Sequence, residues 1–536
     1  MAKQLIAQPL PNFGVNGLNT QSNPNSLDPS YLTSADNIVL RESGRISFRK
    51  GLKQKVVPSG TAINSIVEHD DQGTNKIFAS HGTSIYTIDF TSPNAAFPSS
   101  GADVKHTVTD STGDWQFVNF NNRLTCLHTG IVPQRYDGSA SAGSMWAAFD
   151  NATRPPTVST GEFKPSCGAG TYGRMWVGGV EEEKDVLHYS ALLDSDDYTT
   201  SSGGGSIDLK RVWDKDDIIA IAPFYGQLAV FGKNNIALYE SPDVIGNIKL
   251  NEVIKGIGCI ARDSVQAIGD DLVFLSSTGL RSLARTSEKD KVPLTDISKN
   301  IKDTIIRNIG VSNLTDVRSV YVENEGIYIL SFTDKNINYV FDFKHFTPNG
   351  EPRITTWTFD NDREPTSMCY TETYGYLTGQ KDGGIAGYEG YFDTDLAWVS
   401  SAASYTNSGI TADVSSIWIP LSQGMVASLL KRMILVLEGG SGATLGLRWY
   451  KDFGVVSSDT TQISLRPATT GTTALYGNAA SLYGASKYSP IYGLQEYSTP
   501  LTGSAKTLKL NMSIVSNGYN ASIQDLSILH LQGKIR

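Results

Sequence analysis

The sequence predicts an all-β protein: a β-propeller of six or seven blades followed by a C-terminal β-sandwich or jelly-roll-like domain. Three observations lead there. A strand–turn–strand phrase recurs along residues 61–399. The composition favours turns and aromatics, with 51 Gly and 24 Tyr but only 18% charged residues. Past Trp398 the phrase stops and longer strands begin.

The clearest phrase is residues 225–240, YGQLAVFGKNNIALYE, in which two apolar runs flank a Gly/Asn turn. Gly and Asn tolerate positive φ, so the pattern reads as a β-hairpin. Six other stretches share it: residues 75–90, 121–136, 172–189, 270–283, 325–343 and 374–388. Copies start roughly every 45–55 residues, a spacing that suits four-stranded propeller blades better than helical repeats. The three prolines Pro155, Pro156 and Pro165 mark a crossing between blades, and SSGGGS at 201–206 reads as a flexible surface loop.

In chain order, residues 1–60 form an extended arm and a basic hairpin. The arm lacks periodicity and is rich in Asn, Gly, Pro and Ser. Phe13, Val15, Leu18, Leu27, Tyr31 and Leu32 are enough apolar anchors to tie it to a surface. Ile38–Leu40 and residues 45–48 then flank Glu42-Ser43-Gly44 as a hairpin. Arg41, Arg45, Arg49, Lys50, Lys53 and Lys55 give it local positive charge. Such charge either guards a solvated strand edge or contacts an acidic partner or DNA phosphate. Arg41, Arg45, Arg49, Lys50 and Lys53 are therefore candidate docking contacts.

Residues 295–308 (TDISKNIKDTIIRN) read as a helix with Ile297, Ile301 and Ile305 on one face. Thr295 or Asp296 is placed to cap its start and Gly310 to end it. Residues 400–536 carry the sandwich strands. Within them, 457–506 is almost uncharged and rich in Ser, Thr, Gly and Tyr. A long loop of this kind is either mobile or a contact surface, and Tyr476, Tyr483 and Tyr492 are the candidate contacts.

The chemistry-bearing residues form no recognised catalytic or metal motif. The acidic clusters are Glu181 to Glu183, Asp194 to Asp197, and Asp214 to Asp217. The Asp194 to Asp197 cluster lacks the Gly and distal Glu of a calcium loop. Paired carboxylates also serve glycosidases, which leaves that class as an alternative. There is no HExxH, GxSxG or GxxxxGK[ST], so the chain reads as a non-enzyme with no cofactor. The four cysteines, Cys126, Cys167, Cys259 and Cys369, are too scattered for a zinc site or disulfide framework. A net charge of −9 argues against a chain-wide surface for gripping nucleic acid. No apolar run reaches membrane-spanning length.

The opening, GLNT…LDPSYLTSADNIVL followed by ESGRISFRKGL, resembles the tail nozzle family of short-tailed bacteriophages, also called tail tubular protein B or tail stabilisation proteins. Gly17, Leu18, Asn19, Thr20, Leu32, Asn37, Gly44, Arg49 and Gly51 carry the resemblance. It implies a propeller-containing virion structural protein, synthesised in the host cytoplasm and located in the tail. It further implies a hexameric ring that docks beneath a tail adaptor, meets fibres or tailspikes, and leaves a channel for viral DNA. A propeller scaffold or carbohydrate-binding module unrelated to phage is the alternative reading.

Overall fold

The computed structural model describes residues 5–41, 44–90, 104–108, 114–213, 215–284, 296–360, 363–389, 394–399, 404–422, 426–439, 444–465, 494–516 and 521–532. It contains two compact units. One comprises residues 54–338 and 359–387; the other comprises 1–53, 339–358 and 388–536.

The first unit is the propeller. Each of the seven hairpin phrases lies in a different sheet. Four sheets are built from consecutive chain, with their first strands at Ile63–Asp71, Gln116–Phe120, Cys167–Thr171 and Ile218–Phe224. A three-stranded sheet follows, from Gln266–Ile268 to Gly279–Ser282. Val317–Val322 and Pro365–Thr371 begin the last two. Among the described residues the first four sheets have four strands each and the fifth has three.

Local geometry explains the repeat. In four sheets the first strand turns into the second through two residues that both have positive φ. Asn121-Asn122 (47° and 57°) and Tyr225-Gly226 (47° and 74°) are two of these turns. A two-residue turn of this kind matches the right-handed twist of the flanking strands. The second and third strands are apolar on both faces because sheets pack against them from either side. Ala229, Phe231 and Leu238 meet Leu272, Phe274 and Leu283 on one side of the 218–255 sheet. Leu228, Val230 and Tyr239 meet Trp176, Leu187 and Trp213 on the other.

The ring closes with chain from the N-terminal side. Leu52–Val56 follows Ile385–Tyr388 in the last sheet, where Gln54 Nε2 donates to Gln380 Oε1 at 3.2 Å. Thr366 and Ser367 hydroxyls donate to the Ile63 carbonyl at 2.7 and 2.8 Å, joining last sheet to first. Val56, Ile63, Ile77, Leu377 and Ile385 share one core cluster there.

The expected helix is shorter at its start. Lys299–Ile301 is a 3₁₀ turn and α1 is Lys302–Val311. Ile297, Ile301 and Ile305 are buried as expected. Asp296 accepts from the Ser298 backbone ahead of the 3₁₀ turn, and Gly310 sits inside α1 and does not end it. SSGGGS is likewise ordered: Thr200–Ser202 is a 3₁₀ turn, and Gly205–Asp208 is an outer strand pairing with Val186–Tyr189.

The second unit corrects the expected boundaries. Residues 1–53 are not a separate arm, because they supply strands to both sheets of the C-terminal domain. In one sheet Leu5–Pro9 pairs with Ala521–Gln532, and the expected hairpin, Ile38–Leu40 with Ile46–Phe48, joins the same strand. Ala521–Gln532 also pairs with Ser428–Gly439, which pairs with Leu494–Pro500. In the other sheet the order runs Gly17–Leu18, Tyr31–Asp36, Thr411–Ser416, Thr507–Val515, Thr444–Lys451, Thr461–Ser464. Each sheet buries one face: Leu430, Met433, Leu435 and Leu437 in the first, Leu508, Leu510, Met512 and Ile514 in the second. Leu32 of one and Ile46 of the other meet beside Gly14, as expected of a sandwich.

Candidate functional site

The residues of the arm phrase converge on one node. Asn37 adopts φ +56° and sends its side-chain amide to the Thr411 carbonyl at 2.9 Å and Thr358 Oγ1 at 3.0 Å. Its Oδ1 accepts from Arg49 Nε at 2.9 Å. Arg49 then grips Asp395 with both terminal nitrogens, at 2.9 and 2.8 Å, and donates to the Lys50 carbonyl at 3.1 Å. Asp395 Oδ1 also accepts the Leu52 amide at 2.8 Å. Burial opposes the Arg49 charge, but the Asp395 carboxylate outweighs it and the pKa is raised. Gly17 has φ +75°, and a Cβ there would sit 2.5 Å from the Ile354 carbonyl oxygen, so only glycine fits.

This placement revises the docking candidates. Arg49 is 1% exposed, so it fastens the fold from inside and does not offer a surface contact. Arg45 reaches Glu438 at 2.9 Å and Lys53 reaches Glu389 at 3.3 Å. Lys50 Nζ lies 5.6 Å from the Tyr388 ring centroid, and that ring stacks on Trp357 at 5.3 Å. Arg41 is half-buried, and its side chain has no hydrogen-bond or ion-pair partner among the described residues. Tyr476, Tyr483 and Tyr492 lie outside the described residues.

The acidic clusters are occupied as loop fasteners. Asp216 accepts the Lys233 and Asn234 amides at 3.1 and 2.8 Å and so caps the turn of the 227–240 hairpin. Glu182 and Glu183 accept from Ser159 N and Thr157 Oγ1 at 2.9 and 3.0 Å, pinning the proline-rich crossing. Asp196 binds Arg135, and Arg123 spans Asp137 at 3.0 Å and Asp196 at 3.4 Å. Burial and the Asp194 side chain push the Asp196 carboxyl up to about 6. Asp214 lies outside the described residues. No group of three or more His, Cys, Asp or Glu could hold a metal ion among the described residues. Cys126, Cys167 and Cys259 are buried and all four cysteines are free.

Two buried histidines, His69 and His188, are structural. His69 Nδ1 meets Asn119 Oδ1 at 2.8 Å, and neighbouring Asp71 takes Lys76 Nζ at 2.5 Å. His188 is fully buried, and burial lowers its pKa to about 4. Its Nε2 lies 3.3 Å from Glu183 Oε2 without forming a hydrogen bond, so desolvation dominates. Unfolding restores the ordinary value, so the unfolded chain binds a proton first as pH falls. Stability from this group is complete above about pH 6.5 and drains towards pH 4, by about 3 kcal/mol. Denaturant unfolding followed across pH 4–7 is expected to show this loss, and His188→Gln is expected to lack it.

Sequence reading missed the polar cluster at the propeller axis. A cavity of about 240 Å³ is lined from five sheets, by residues including Ser65, Trp115, Arg262, Arg318 and Ser367. Asp114 Oδ1 accepts from Arg262 at 3.0 Å and Arg318 at 2.8 Å. Asp263 takes both Arg262 nitrogens, at 2.7 and 2.8 Å, and lies 3.2 Å from Arg318. Arg262 Nη1 donates to the Ser166 carbonyl at 2.9 Å. The four charges balance, so the cluster is a neutral tie between sheets. Its signal in the sequence is Arg-Asp inside IARDSV and Arg318 inside VRSVYV, charges within apolar strand context.

No family model and no curated protein matches the chain. Among solved structures it is similar to Raptor of Chaetomium thermophilum, at 11% identity and TM-score 0.40 over 64% of this chain. The match spans 29% of that protein's length. It is also similar to the Pan2 WD40 domain of Neurospora crassa, at 9% identity and TM-score 0.38, covering 64% of this chain and 96% of that one. The β-propeller domain of Cps50 (Swd1) from Myceliophteria thermophila gives 9%, 0.37, 64% and 98% for the same quantities. These likenesses concern the fold alone. No helix among the described residues is long and apolar enough to cross a membrane.

Proposed function

We propose that this chain is a structural protein of a short-tailed phage tail, a nozzle subunit that works by geometry and electrostatics and not by chemistry. In this reading copies form a closed, hexameric ring through a head-to-tail interface. The ring docks below a tail adaptor, offers its outer surface to a fibre or tailspike, and passes viral DNA through its centre.

One observation carries the reading. The residues of the nozzle-like opening phrase are the ones that build the arm into the sandwich unit: Gly17 at a close backbone approach, Asn37 and Arg49 at the node. The phrase therefore has a structural reason to exist as a phrase. The occupied carboxylates described above favour a scaffold over a hydrolase.

A channel for DNA must not bind it. A net charge of −9 per copy supplies carboxylates that repel phosphate along a lumen, with positive charge kept for the adaptor contact. The test is electron microscopy of the chain mixed with its neighbouring adaptor. A capped ring with an acidic channel wide enough for duplex DNA is expected. Adaptor rings without added density, or a ring with a basic channel wall, would contradict the proposal.

A further inference from the structure

We propose that the outward face of the second sandwich sheet is a binding site for a neutral oligosaccharide. The inference does not rest on the tail reading. The strands Thr411–Ser416, Thr507–Val515, Thr444–Lys451 and Thr461–Ser464 lie side by side. Their inward residues are the apolar core, with Leu445, Leu447, Leu510 and Met512 fully or nearly fully buried. Strand periodicity turns the alternate residues to the other face, and every one that lines a cavity of about 500 Å³ there except Gly446 and Val515 is polar. That volume is within the roughly 300–1,000 Å³ of small-ligand sites.

Register sets the floor of the cavity. Asp413, Ser513, Gly446 and Gln462 align in one row across the four strands, and Asn511 pairs with Arg448 in the next. Gly446 has no side chain, so the sheet is dished at its middle. Around the dish stand a carboxylate, two primary amides, a guanidinium and Tyr450. Several are already oriented: Asn511 Nδ2 donates to Asp413 Oδ1 at 2.7 Å and to Ser415 Oγ at 2.8 Å, and Ser34 Oγ donates to Asp413 Oδ2 at 3.1 Å. Arg448 Nε donates to Thr460 Oγ1 at 2.6 Å.

The chemistry selects the ligand class. Planar amide, carboxylate and guanidinium groups donate and accept in pairs, which matches adjacent hydroxyls on a sugar ring. Tyr450 offers an aromatic surface for the ring's C–H face. The lining holds one carboxylate, Asp413, against one guanidinium, Arg448, so it has no net charge to attract a polyanion. DNA would require several uncompensated cations. An apolar peptide would require apolar pockets, and Val515 is the one aliphatic lining residue.

The full chain would be screened against neutral oligosaccharides of three to five sugars, uronic-acid oligosaccharides and a short DNA duplex, with calorimetry on any hit. A neutral oligosaccharide is expected to bind in the micromolar to millimolar range. Gly446→Leu fills the dish. A Cβ at Gly446 meets its nearest neighbours at 3.4–3.7 Å, ordinary contact, so this variant is expected to fold. Gln462→Ala removes one exposed side chain. Each is expected to weaken binding by about tenfold or more with an unchanged melting temperature. Binding unaltered in both variants, no neutral sugar bound at millimolar concentration, or binding of the duplex or uronates alone would overturn the site.

Discussion

Arg49→Met is expected to destabilise the sandwich unit by about 3–5 kcal/mol, the usual cost of removing one partner from a buried ion pair. The magnitude follows from what is left behind. Asp395 would lose both of its guanidinium bonds, and Asn37 Oδ1 would lose its 2.9 Å donor. Arg49→Lys keeps the charge but not the planar fork that spans Asp395, so it is expected to recover less than half of the loss. Replacing both partners, Arg49→Met with Asp395→Leu, is expected to recover more, because no buried charge is then stranded. Hydrogen exchange resolved by peptide is the appropriate readout, since it separates local opening from global unfolding. Faster exchange is expected in Tyr31–Asp36, Thr394–Val399 and Thr411–Ser416. Unchanged exchange there would mean that the node is not what fastens the arm.

Arg262→Met at the propeller axis is the second large effect, again about 3–5 kcal/mol. Arg262 is the shared partner of Asp114, Asp263 and the Ser166 carbonyl, which belong to three different parts of the ring. Its loss leaves Arg318 alone to face two carboxylates. The variant should also change the acid response. Burial alone would raise the Asp263 pKa, but Arg262 and then Arg318 more than offset it, so the carboxyl is held below its ordinary value. A depressed carboxyl contributes stability above about pH 3.8 that is lost as pH falls through the folded value. Without Arg262 the Asp263 pKa rises towards its unfolded value, so less stability remains to be lost on acidification. Melting temperature followed over pH 3–7 is expected to be lower near neutral pH but to fall less steeply in acid for Arg262→Met than for the parent. Parallel pH profiles would contradict the assignment of Arg262 as the dominant cation.

What could be read from the sequence was local. A run such as LAVFG-KN-NIALY specifies its own hairpin, because the turn residues and both strands lie within sixteen positions. All seven phrases became hairpins for that reason. The first strand of each sheet was harder, since Gln116–Phe120 and Gln266–Ile268 are short and mix polar with apolar residues. The boundary of the arm failed for a different reason. Leu5 pairs with Leu531 and Arg49 with Asp395, and no periodicity within either segment encodes a partner hundreds of residues away. Arg49 was therefore read as a surface cation, when its charge answers a carboxylate far along the chain. The alternation of Leu508, Leu510, Met512 and Ile514 was visible as a strand, but the polar dish on its reverse exists only once Gly446 and Gln462 are in register.

The most direct measurement of the proposed tail assignment is cryo-electron microscopy of phage particles purified from the source that encodes this chain. Density at the distal end of a short tail should accommodate repeated copies of the propeller and of the sandwich unit, each fitted separately, around a DNA-wide channel. A resolved tail whose tip holds neither unit, or a particle that lacks the chain altogether, would contradict it.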